Sequence, residues 1–277
     1  MNLSITKAWD EAAAFVKQEA GILFPIVFAL TVLPSLIAQT LSQRLAGDTG
    51  VAHGSTADPG PLLAGALAVL LMLVAVIFLS SWGNLVVNLL AMRRETLVRN
   101  AFGRALRRVL PLLGATLLCA IAAIAIVLPF AAAVGLGAGT PRPGPAALLL
   151  LIVIPAAFFF GVRLMLMSPV AAAERSGPIG IIRRSWQLTS GHFWQLLGFL
   201  LLMILVILVL LLAVRSVGGI LITMTAGEPK PDSLGFFLMQ LVSGILQAVW
   251  ATYFITAVAR IYEQLAGDVG SVAGIFE

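Results

Sequence analysis

The chain has 277 residues, 60% of them hydrophobic and 10% charged, with a formal net charge of +5 and a mean hydropathy of +1.06. Soluble domains carry about 25% charged residues, so no water-soluble fold could hide this much apolar surface, and the composition defines a polytopic membrane protein. Barrel strands alternate over roughly 10 residues, whereas these apolar runs do not alternate and reach the roughly 20 residues of a helical span. The expected class is therefore all-α.

The N-terminal segment SITKAWDEAAAFVKQ predicts an amphipathic helix, with Ile5, Trp9, Ala12 and Val16 opposite Lys7, Asp10 and Lys17. Ser4 suits its N-cap. A secretory signal passes straight from a short basic region into a 7–15-residue apolar core. Here about 20 amphipathic residues come first, so the first span is expected to be retained. Six runs are long enough to cross a bilayer: Gly21–Leu41, Pro61–Met92, Leu110–Leu136, Ala146–Val170, Phe193–Val214 and Leu234–Ile261. Pro25, Pro129 and Pro155 fall within spans and are expected to kink them.

The linkers alternate in character. GDTGVAHGSTADPGP, GLGAGTPRPGP and GEPKPDSLG read as irregular loops. The others are basic and helical. In TLVRNAFGRALRRVL, Val98, Phe102, Leu106 and Val109 face away from Arg99, Arg104, Arg107 and Arg108. In GPIGIIRRSWQLTSGHFWQ, Ile179, Ile182, Trp186 and Phe193 face away from Arg183, Arg184, Gln187 and Ser190. Pro178 suits a first helical turn, and Gly191 suits a stop. Both segments, like the N-terminal one, are expected to lie at the membrane surface, with arginine toward anionic headgroups and Trp186 at the interface.

Of the 17 basic residues, 13 fall on the side of the termini and the basic linkers, and 4 on the other. The positive-inside rule then places both termini in the cytoplasm. Arginine outnumbers lysine 14 to 3 and alanine is abundant, a composition that hints at a GC-rich bacterial genome. The expected location is thus a bacterial inner (plasma) membrane. The three basic helices also suggest a repeat of helix, span, loop and span over residues 4–93, 94–173 and 177–264, within one membrane domain of residues 1–277. Trp9, Phe102 and Trp186 each precede a glycine by twelve residues (Gly21, Gly114 and Gly198). Two spans per unit make these parallel repeats, pseudo-threefold about an axis along the membrane normal.

Catalytic signatures are missing from the sequence. His53 and His192 fall on opposite expected sides, there is no HExxH or GxxxxGK[ST] motif, and the single Cys119 cannot form a disulfide within the chain. No catalytic residue, metal or cofactor is expected. Two polar groupings stand out. Asn84 and Asn88 lie one turn apart in the second span, and Gln240, Ser243 and Gln247 form a stripe on the sixth, with Thr252 and Thr256 below. They read either as a polar pathway or as interhelical hydrogen bonds, the latter worth about 0.6 kcal/mol each on average. Arg163 and Glu174 share a helical face if the fourth helix continues past the lipid, and form a candidate boundary pair. The cluster from Arg93 to Arg108 fits membrane-surface attraction, about 1 kcal/mol per basic residue, better than nucleic acid.

The segment RLMLMSPVAAAERSGPIGIIRRSWQLTSGHFWQLLGFLLL resembles the membrane domain attached to some bacterial glycerophosphodiester phosphodiesterases, and its stand-alone relatives. The resemblance rests on Arg163, Pro169, Glu174, Gly177, the run Arg183–Thr189, Gly191 and an aromatic at Phe193 or Trp194. In the fused relatives the hydrolase is a separate soluble domain, expected to be absent here, so the activity does not carry over. The expected function is non-enzymatic. The protein would bind anionic phospholipid in envelope homeostasis, or serve as a scaffold for a soluble cytoplasmic or envelope protein. The alternative is a transporter or lipid-translocating protein built on the polar stripe.

Overall fold

The computed structural model describes residues 4–48, 59–92, 98–133, 143–226 and 233–273. All elements among them are helical: α1 (Ile5–Val27), α2 (Leu33–Asp48), α3 (Pro59–Ala91), α4 (Val98–Ala133), α5 (Pro143–Leu164), α6 (Met167–Ala173), α7 (Pro178–Thr189), α8 (Phe193–Ala213), α9 (Gly219–Ala226) and α10 (Leu234–Ala273). Short π-helical turns, Phe28–Val32 and Val214–Gly218, join α1 to α2 and α8 to α9. Six helical stretches are long and apolar enough to cross a membrane: Ile5–Thr40, Leu67–Ala91, Val98–Pro129, Leu150–Ala173, Phe193–Leu221 and Gly235–Gly267. The three Gly/Pro loops lie largely outside the described residues, as do Arg93 and Arg94.

Proline explains two departures from straight helix. Pro34 has no N–H for the Leu30 carbonyl and its ring crowds that carbonyl. The chain widens into the π turn just before it, where the Leu33 N–H reaches Phe28 O. Pro169 has the same effect on Met165. The fourth span breaks at Met165–Leu166 and restarts as α6.

Two of the three expected surface helices are not separate elements. The N-terminal amphipathic stretch runs into its span as α1, and the Arg99–Arg108 stretch runs into its span as α4. Neither carries a Gly-plus-Pro stop, and Pro111 is accommodated inside α4. Only α7 stands alone. Pro178 begins it, and Gly191 follows it at φ +94°, a conformation that suits a residue without Cβ. Ser4 caps α1, accepting the Lys7 N–H at 3.3 Å.

The core is concentrated at the arginine-rich end. Its largest fully buried side chains include Leu23, Leu85, Leu89, Leu166, Ile181, Leu196 and Ile261. Toward the other end α3, α4, α5 and α8 expose large apolar residues such as Leu71, Leu128, Leu151 and Leu205. That distribution suits a bundle packed tightly at one boundary and solvated by lipid chains above it. Within the core α1 packs along α10, α3 along α4, and α5 against α7 and α8. An aromatic contact marks each pairing: Trp9 on Tyr253 at 5.8 Å, Phe102 on Trp82 at 5.4 Å, and Trp186 on Phe159 at 5.8 Å between ring centroids.

Candidate functional site

The break after α5 sets the geometry of the arginine-rich end. Because the helix does not continue, Arg163 and Glu174 do not form the expected pair. Arg163 turns instead to the α7–α8 corner. Its Nη1 donates to Ser190 Oγ at 2.9 Å and lies 3.4 Å from both Thr189 Oγ1 and the Trp186 carbonyl. Its guanidinium carbon sits 4.9 Å from the Trp186 ring centroid, 5.5 Å from Phe159 and 5.8 Å from Phe193. Such cation–π contacts stabilise by about 0.5–1 kcal/mol when exposed and about 2 when desolvated. Ser185 completes the joint by donating to the Arg163 carbonyl at 2.7 Å, which satisfies an orphan acceptor at the end of α5.

Glu174 joins two other elements. Its Oε1 accepts from Arg184 Nε at 3.0 Å and from the Tyr262 hydroxyl at 3.1 Å. Arg184, assigned from the sequence to a headgroup-facing surface, is thereby tied to the protein. Arg108 is also tied to the protein, its Nη1 donating to the Ala171 and Ala172 carbonyls at the C-terminal end of α6. A cation there also complements the negative end of the helix. The faces of α7 divide differently too. Ile181, Ser185 and Leu188 are buried against the bundle, whereas Ile179 and Trp186 are 73% and 37% exposed.

Between α4 and the α6–α7 connection lies a basin of about 830 Å³. Among the described residues, Arg99, Arg104, Arg107, Arg108 and Arg175 line it with one carboxylate, Glu174, and with Pro111, Ala171 and Ile181 in its apolar walls. Its size falls within the range of ligand pockets, roughly 300–1,000 Å³. Guanidinium groups suit phosphate oxygens because their N–H pairs form parallel hydrogen bonds. Arg183 is exposed on α7 and is not among the basin's lining residues. Arg175, which the sequence pattern did not single out, is exposed and lines the basin from the α6–α7 connection.

The intramembrane polar residues do not line one groove. Asn88 Nδ2 donates to the Asn84 carbonyl at 2.8 Å and to Ser168 Oγ on α6 at 2.9 Å, and Asn84 Nδ2 donates to the Ser80 carbonyl at 2.9 Å. Gln240 is elsewhere, donating to Gln39 Oε1 on α2 at 2.9 Å. Gln247 is exposed. Thr252 and Thr256 donate back to the carbonyls one turn earlier in α10. Asn84 does face a second cavity, of about 360 Å³, where Ser81, Thr116 and Ser168 supply further polar atoms. Ser81, Thr116 and Ser168 look unremarkable in the sequence; only the packing of α3, α4 and α6 brings them together.

Six helices long and apolar enough to cross a membrane define a polytopic helical membrane protein, with an arginine-lined basin between α4 and the α6–α7 connection. The chain belongs to the family described as a domain of unknown function, DUF7847, which it matches over residues 3–265. No curated protein and no solved structure matches it.

Proposed function

We propose that this protein is a non-enzymatic component of a bacterial inner membrane, with both termini cytoplasmic, that binds the headgroups of anionic phospholipids and serves envelope or phospholipid homeostasis. The observation that carries this reading is the basin, where, among the described residues, five arginines face one carboxylate at the core end of the bundle. The carboxylate is already engaged by Arg184, so the basin retains a strong positive excess. A basic residue near an anionic surface contributes about 1 kcal/mol. Arg99 and Arg107 together would supply about 2 kcal/mol, roughly thirtyfold in lipid preference.

Kinship with the membrane domains of glycerophosphodiester phosphodiesterases is proposed on the sequence resemblance alone; of the residues that carry it, Arg163, Glu174 and Arg184 fasten α7. A threefold organisation draws support from the three aromatic contacts. In each, the leading helix of one unit packs on the second span of the unit before it, and α1 closes the ring on α10.

The test is lipid selectivity in nanodiscs of mixed zwitterionic and anionic phospholipid, read as the fraction of motionally restricted spin-labelled lipid. The Arg99→Gln/Arg107→Gln protein should lose the preference for the anionic label, and the wild-type preference should fall with salt. Equal selectivity in both proteins would refute the reading. Arg104, Arg108 and Arg184 are left intact because each already has a partner within the protein.

A further inference from the structure

A third cavity, of about 440 Å³, opens between α4 and α5 and is apolar. Alanines on both walls create it: Ala122 and Ala123 on α4, Ala156 and Ala157 on α5. Ile182 and Trp186 of α7 also line it, at the arginine-rich end. From Leu164 to Ile152 it follows α5 for about 18 Å at 1.5 Å per residue. That is close to half of a hydrocarbon core of about 30 Å, the depth of one leaflet.

This slot adjoins the polar chamber of Asn84, because Cys119 and Leu164 line both. The chamber lies at the arginine-side end of the slot. Its polar atoms come from Ser81, Asn84, Thr116 and Ser168, and no charged side chain among the described residues lines it. Nearby, the Asn88 Oδ1 is buried without a hydrogen-bond partner. An ionised head placed there would lose its hydration with no counter-charge to replace it. A hydroxyl or ester head would find both donors and acceptors.

We infer that chamber and slot form one site for a single-chain amphiphile with an uncharged, oxygen-bearing head, such as a long-chain alcohol or a monoacylglycerol. The head sits among Ser81, Asn84, Thr116 and Ser168, and the chain runs between α4 and α5 toward the bilayer centre. The site is separate from the arginine basin and does not depend on it. Gly114 and Pro178 meet between the two, a Cβ on Gly114 falling 2.9 Å from Pro178 Cγ.

The experiment uses the purified, delipidated full chain and hexadecanol bearing a mid-chain diazirine, with crosslinked peptides mapped by mass spectrometry. Crosslinks are expected at Ile126–Val127 of α4 and Ile152–Val153 of α5. Unlabelled hexadecanol should compete at least tenfold better than hexadecane or hexadecyl phosphate. Ala123→Phe/Ala157→Phe, which fills the slot, should abolish the crosslinks. Thr116→Val/Asn84→Leu should keep them but erase the advantage of the alcohol over the alkane. Arg104→Gln/Arg107→Gln should change neither, so loss of the basin reading would leave this site standing. Crosslinks spread evenly over the lipid-facing helices, or equal competition by alkane and alcohol in the wild type, would overturn the proposal.

Discussion

Replacing Arg163 probes the joint on which the arginine-rich end depends. In the wild type its guanidinium stacks on Trp186 at 4.9 Å and donates to Ser190 Oγ at 2.9 Å. A partly desolvated cation–π contact stabilises by about 1–2 kcal/mol, and a hydrogen bond from a charged donor by about 1.5–3. Arg163→Gln should therefore destabilise the protein by roughly 2–4 kcal/mol, allowing for incomplete additivity. Arg163→Lys keeps the charge but loses the planar face, and should recover less than half of that loss. The assay is SDS-induced unfolding in a mild detergent, in a double-mutant cycle with Trp186→Leu. A coupling energy near 1 kcal/mol is expected. Coupling below about 0.3 kcal/mol, with Arg163→Lys as stable as the wild type, would refute the stacked geometry.

Other consequences are equally direct. Gly114→Val should push the N-terminus of α7 off α4, because even a Cβ would meet Pro178 Cγ at 2.9 Å; spin labels on Arg183→Cys and Asn100→Cys, in a Cys119→Ala background, should report the separation. Asn88→Leu removes hydrogen bonds to Ser168 and to the Asn84 carbonyl, and should cost about 0.5–1.5 kcal/mol in the same unfolding assay, the range found for such bonds in membranes. For topology, a cysteine at Gly54 should be labelled by an impermeant maleimide from outside intact cells and one at exposed Arg183 should not; the opposite pattern would reverse the orientation.

The spans were legible because twenty apolar residues have few other uses. The α7 stop was legible because Pro178 and Gly191 each impose a backbone preference of their own. What escaped the sequence was long-range. Pro169 marks a break, but which way the chain turns after it depends on Arg163 meeting Trp186 and Ser190, contacts 23 and 27 residues away. Amphipathic spacing identified the arginines on α4 without separating Arg108, which caps α6, from Arg99, Arg104 and Arg107. The same spacing predicted surface helices where α1 and α4 run on into their spans, since periodicity alone does not locate a helix end. Asn84 and Asn88 were visible as polar residues in lipid. Their partner Ser168 is 80 residues from Asn88, and the chamber exists only through that packing.

The most direct test of the central claim is mass spectrometry of the lipids that remain on the gently purified protein, beside the Arg99→Gln/Arg107→Gln variant. The account predicts an anionic phospholipid enriched over the bulk membrane on the wild type and lost from the variant. The same lipid profile on both proteins, matching the bulk membrane, would contradict it.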